Sequence, residues 1–202
     1  MRQAAESEII QLTMKIRNNE AIIPMKGNEV QVYNKSIMEE PIFDSMLLWA
    51  DQIIVATNKK RIEINNRMRK LLGRGERPED GDKVICLRNY WEEIGDDDNA
   101  LVNGTIGTIQ DSYESFINYP WGLHLNHEGP VEIIAGNFIS DSGEMFPNLR
   151  MDKQDILTGE PALDYEDTWK IYQRIKNNAG ITPPPLEFTY GYAITGHKSQ
   201  RL

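Results

Sequence analysis

Apolar residues fall at helical spacing over residues 6–18, where Ile9, Leu12, Thr13 and Ile16 occupy i, i+3, i+4 and i+7. Ser7 or Glu6 can open that helix, and Asn18-Asn19 can close it. A turn-rich stretch around Gly27 follows, with a short apolar alternation at Val30 and Val32. A second helix is predicted over 42–49, after Pro41, with apolar residues dense enough to be mostly buried. Residues 51–56, rich in β-branched side chains, read as a short buried parallel strand. Thr57-Asn58 offer N-cap chemistry for a helix over about 59–72, with Ile64, Met68, Leu71 and Leu72 as its apolar stripe and Gly73 as its terminator. Strand, polar turn, helix is the elementary unit of an α/β domain.

From Pro78 the pattern shortens. Residues 84–87, 105–109, 123–125 and 131–134 read as strands separated by Gly, Asn, Asp and Pro, the signature of a small β-barrel. Asn103-Gly104 predicts a tight turn, and residues 96–99 an exposed loop. A helix is expected again over 164–177, with Trp169, Tyr172 and Ile175 on one side. Pro183-Pro184-Pro185 is a stiff extended segment. Residues 190–194 read as a strand that runs into a polar turn, and with no helix behind it the chain reads as cut short.

Charge divides the chain in the same places. Residues 1–75 hold 12 Lys+Arg against 9 Asp+Glu, residues 76–161 hold 5 against 18, and residues 162–202 hold 5 against 4. An acidic block between two mildly basic ones suggests an inserted module, giving a discontinuous lobe of 1–75 and 162–202 around an acidic β-barrel at 76–161. The overall charge of −9 argues against a simple basic nucleic-acid-binding domain. No apolar run approaches the ~20 residues of a membrane span, and no secretory pattern opens the sequence, so the expectation is a cytoplasmic protein without a membrane partner.

The chemistry is sparse. No G-x-x-x-x-G-K-[ST] loop is present, so the usual phosphate cradle is absent from this sequence. The single cysteine, Cys86, sits in an apolar strand pattern and reads as a core thiol. His124 and His127, beside Glu128, lack further ligands, and no metal is placed there. Three segments remain. Thr57, Asn58 and Lys59 stand at a strand end and a helix start, where free N–H groups and the macrodipole favour an anion. Between residues 57 and 77 there are 8 Lys+Arg and 2 Asp+Glu, which reads either as an anion-binding surface or as a solvated helix face. Thr195, His197, Lys198, Ser199 and Gln200 crowd the carboxyl end of the last strand, where α/β sheets bind ligands; an ordinary polar loop has the same composition. Arg2 precedes the first helix.

In order, these segments resemble the C-terminal motor domain of superfamily-one DNA helicases of the RecD/Dda type. Arg2-Gln3 with Ser7 to Ile10 is similar to the arginine-bearing motif that opens the second RecA-like domain. Residues 55–59, with Asn65, Arg67 and Arg69 on the following helix, resemble the family's TNK segment. Residues 81–85 and 102–107 resemble strands of the inserted SH3-like barrel, and residues 192–200 resemble motif V, with Gly196 and Arg201 departing from its usual residues.

The resemblance implies an incomplete RecA-like parallel-sheet lobe, carrying an SH3-like barrel, from an ATP-dependent helicase or exonuclease-type motor. Arg2 would sense the ATP γ-phosphate. Thr57, Asn58, Lys59, Thr195, His197, Lys198, Ser199 and Gln200 would hold single-stranded DNA, with nonspecific attraction from Arg67 and Arg69. ATP and Mg2+ would be bound mainly by the N-terminal RecA-like lobe of the same protein, so no cofactor is expected on this fragment and no hydrolysis by it alone. The alternative is a noncatalytic interaction module that meets a protein partner through the acidic barrel.

Overall fold

The computed structural model describes residues 7–177 and 180–196. The architecture is mixed α/β, and the chain divides into two compact units, residues 1–49 and 50–202. Among the described residues, no helix is long and apolar enough to cross a membrane.

The first unit holds α1 (Glu8–Arg17), a hairpin of β1 (Met25–Lys26) with β2 (Gln31–Val32), a 3-10 turn (Lys35–Glu39) and α2 (Pro41–Trp49). Glu8 and Glu29 tie helix to hairpin reciprocally. The Glu8 carboxylate accepts the N–H groups of Glu29 and Val30, while Glu29 accepts the Glu8 N–H and the Ser7 hydroxyl. The N–H of Glu29, then those of Asn28 and Val30, hold the Glu8 carboxyl below its ordinary range. Leu47 is the one buried apolar residue among the described part of this unit. Ile9 and Ile16, the predicted stripe of α1, are exposed, and α2 buries less than its composition suggested.

The second unit is built on an antiparallel sheet of five strands in the order β10-β4-β7-β8-β9. Its members are β4 (Lys83–Cys86), β7 (Ile106–Ile117), β8 (Val131–Ser140), β9 (Met145–Asp152) and β10 (Phe188–Tyr190). One face buries Val84, Cys86, Ile109, Ile134, Phe146 and Phe188 around Phe138, whose ring lies 5.9 Å from Phe146 and 5.2 Å from Phe188. A separate hairpin, β5 (Tyr90–Ile94) with β6 (Ala100–Leu101), closes through the exposed acidic turn at 96–99. The Asn103-Gly104 turn forms, with Thr105 N–H bonded to the Val102 carbonyl.

Two strand expectations change. Residues 123–125 are not extended; a 3-10 turn (Trp121–Leu123) ends at His124 in the left-handed region. Leu123 is drawn into a cluster with Val131, Leu163 and Ile171, and that burial decides its conformation. The expected strand at 190–194 splits at Gly191: β10 pairs antiparallel with β4, and β11 (Ala193–Thr195) pairs parallel with β3 (Ile53–Val55). The sheet thereby takes one edge strand from outside residues 76–161.

β7 runs far beyond the predicted 105–109 because Asp111, in the left-handed region, absorbs an extra residue as a bulge. β9 escapes prediction because Pro147 and Asn148 interrupt it; as an edge strand with its own register shift it tolerates both.

Among the described residues the unit also holds three helices, α3 (Asn58–Leu71), α4 (Lys153–Thr158) and α5 (Tyr165–Asn177). α3 ends in a Schellman motif, with Gly73 N–H on the Lys70 carbonyl, Arg74 N–H on that of Arg69, and Gly73 at φ 69°. α5 buries Asp167 and Ile171; of the three residues expected on one side, Ile175 packs against the Leu123 cluster while Trp169 and Tyr172 are half exposed. The Asp167 carboxylate accepts the N–H groups of Asn126 and His127 at 2.7 and 2.8 Å, which fixes the loop before β8.

Candidate nucleic-acid-binding edge

The parallel pair β3–β11 is short, but its register is informative. Ala193 faces Ile53, Ile194 faces Ile54 and Thr195 faces Val55, so both strands end at one edge of the pair. The chain leaves β3 through Ala56 and Thr57 into α3, so Thr57 and Thr195 both lie at the carboxyl edge. Thr57 caps α3: its Oγ1 accepts the Lys60 N–H at 3.2 Å. Asn58 and Lys59 occupy the exposed first turn, which carries no acidic residue to offset the positive helix end. Lys59 forms no ion pair with a described residue, whereas Lys60 is held by Glu63 at 2.6 Å.

The corner joining the two strand systems is fastened from α3. Asn65 Nδ2 donates to the carbonyls of Tyr190 and Ala193 at 2.9 and 3.2 Å, and its Oδ1 accepts the Ala193 N–H at 2.6 Å. Gln52 Nε2 donates to the carbonyls of Gly191 and Tyr192. Asn65 is thus a buried clamp that sets the position of β11.

Much of the basic excess of residues 57–77 is consumed internally, which corrects the surface role expected of Arg69. Arg69 is buried and grips Asp82 with Nε and Nη2, both at 3.1 Å, while its guanidinium lies 4.5 Å over the Tyr190 ring. Asp82, fully buried, also accepts the Tyr192 hydroxyl and the Glu79 N–H. Burial pushes the Tyr192 phenol up to about 12, and Asp82 beside it adds to the rise.

Arg61, 8% exposed, is the second buried cation. Its Nε has no hydrogen-bond partner, and its Nη2 lies against Gly159 at the end of α4. In the same region both carboxylate oxygens of Asp155, 1% exposed, are without a hydrogen bond. Burial, then the charges of Asp152 and Glu187, push Asp155 up to about 7 against the pull of Arg61 and Arg88. Burial also raises Asp152, whose oxygens accept the N–H groups of Asp155 and Ala162.

Arg2, His197, Lys198, Ser199 and Gln200 lie outside the described residues. Of the predicted set, the structure brings Thr57, Asn58, Lys59 and Thr195 to one edge. Asn65 entered only through the TNK resemblance, and Gln52, Asp82 and Asp155 had no spacing signal; burial reveals the two carboxylates, and hydrogen bonds to the β10–β11 backbone reveal Asn65 and Gln52 as clamps. Cys86 is a buried thiol in β4, with Sγ 3.1 Å from the Arg88 carbonyl. The edge offers hydroxyl, amide and ammonium groups and no carboxylate among Thr57, Asn58, Lys59 and Thr195. That donor set suits a phosphate and does not suit Mg2+. No family model matches the chain, and no curated protein matches it.

Proposed function

We propose that this chain is a lobe of an ATP-dependent single-strand motor of the RecD/Dda type. In this reading β3, β11 and α3 belong to a RecA-like lobe, and the antiparallel sheet forms the SH3-like barrel inserted in it. Thr57, Asn58, Lys59 and Thr195 grip backbone phosphates without reading bases, and His197, Lys198, Ser199 and Gln200 extend that grip. Arg2 senses the γ-phosphate of ATP, which with Mg2+ is held by the N-terminal lobe of the same protein.

The observation that carries this reading is the pairing of Val55 with Thr195. It brings Thr195 and the strand-to-helix turn at Thr57, remote in sequence, to the carboxyl edge of parallel strands, where α/β sheets bind ligands. The test is fluorescence anisotropy of a labelled oligo(dT) titrated with the chain over a range of salt. Lys59→Ala should weaken binding and reduce the slope of log affinity against log salt by about 0.7, the value for one phosphate contact on a single strand. An unchanged affinity and slope would refute the assignment of Lys59.

A further inference from the structure

We propose that the β7–β8–β9 face carries a slot for one planar heteroaromatic ring, the chemistry of a nucleobase, away from the β3–β11 edge. Cross-strand register sets Tyr113, Ala135 and Arg150 in a single row, Tyr113 opposite Ala135 and Ala135 opposite Arg150. Directly opposed residues project to the same face of a sheet. With strands about 4.8 Å apart, Tyr113 and Arg150 stand about 10 Å apart, and Ala135, 6% exposed and packed with Ile117 and Ile133, lies between them.

A planar ring stacked about 3.5 Å from each wall needs about 7 Å. The slot therefore admits one ring and excludes two. Both walls end in planar groups suited to stacking, a phenol that is 64% exposed and a guanidinium. Arg150 forms no ion pair with a described residue, so its charge is available.

The cavity there measures about 320 Å³, and Ser115, Asn148 and Thr182 bring hydroxyl and amide groups to its border. No carboxylate lines it. In a segment with 18 acidic and 5 basic residues, that exclusion is the local signature of an anionic or carbonyl-rich ligand. A second groove that shares Tyr113 contrasts with it, lined by Glu76, Glu79, Asp80 and Glu114 with Arg77 as its one cation. An aliphatic ligand would use neither planar wall; a heterocycle stacks on both and hydrogen-bonds at its rim.

The ring can arrive on a free nucleotide or as one base of a single strand, and two probes separate these sources. Fluorescein-labelled oligo(dT) and an abasic strand of equal length are titrated with the whole chain, and dTMP is added while the Ala135 amide is followed by NMR. For a strand, Tyr113→Ala weakens oligo(dT) binding ~5- to 100-fold, the cost of losing one stacked base, and leaves the abasic strand unaffected. Tyr113→Trp retains the affinity, and Arg150→Gln weakens it. For a free nucleotide, dTMP shifts the Ala135 amide in the native chain and not in Tyr113→Ala, with both strands bound alike. Lys59→Ala acts differently, weakening both strands in parallel, so failure of the β3–β11 edge is distinguishable. No change with Tyr113→Ala or Arg150→Gln against any of the three probes overturns the slot.

Discussion

The buried Asp155 makes stability depend on pH in a direction opposite to that of an ordinary surface carboxylate. Its carboxyl titrates near 3.8 in the unfolded chain and at about 7 when folded. Below pH 4 both states are protonated there and the group contributes no pH dependence. Between pH 4 and 7 the folded state retains a proton that the unfolded state has released, so stability falls as pH rises, and above 7 the penalty is constant. About three pH units at 1.36 kcal/mol each give a total near 4 kcal/mol. Asp155→Asn removes the titration while keeping a similar shape. The unpaired amide has its own cost, but that cost is the same at every pH. Carboxyls held low by partners, such as Glu132 by Lys153 and Asp80 by Ser112, lose stability on acidification in both proteins and largely cancel in the comparison. Urea unfolding at pH 4.5 and pH 8 should show the variant gaining about 3 kcal/mol relative to the native chain, since about 1 kcal/mol of the penalty is already present at pH 4.5. At a slope of about 2 kcal/mol/M that is about 1.5 M in midpoint. Parallel stability curves across that range would refute the assignment of a buried, unsatisfied carboxyl.

Three further outcomes follow from other contacts. Arg69→Ala leaves Asp82 buried without its cation and should cost about 3–5 kcal/mol in urea unfolding, with much of the loss recovered when Asp82→Leu is added. Gly107→Ala places a Cβ 2.0 Å from the Ile139 carbonyl oxygen in the paired strand, so thermal unfolding should show a loss of at least about 1–3 kcal/mol. Thr57→Ala removes the cap on α3 and should cost about 1 kcal/mol, whereas Thr57→Ser should cost much less.

The helices were legible where a local rule sufficed. Thr57 and Gly73 bracket α3 by cap chemistry and a left-handed turn, and both features are written in neighbouring residues. Elements set by distant partners were not. Leu123 gives up an extended conformation for a cluster formed with Ile171, and β9 survives Pro147 because it lies at an edge. At the candidate edge, Thr57 and Lys59 could be picked out from their place in a strand-to-helix turn. Arg69 was misread as a surface cation because sequence shows its charge and not Asp82, the partner that buries it. The Tyr113–Ala135–Arg150 row was invisible for the same reason: it exists only through pairing across three strands.

The corner at Gly191 and Tyr192 has a mechanical consequence. Tension on the chain beyond Thr195 runs along β11 and then along β10, loading two pairings of opposite sense lengthwise. Lengthwise loading strains several hydrogen bonds at once instead of parting them singly, and Asn65 bridges the bend between them. A displacement at Thr195 is therefore delivered to the five-stranded sheet with little slack, as through a stiff strut.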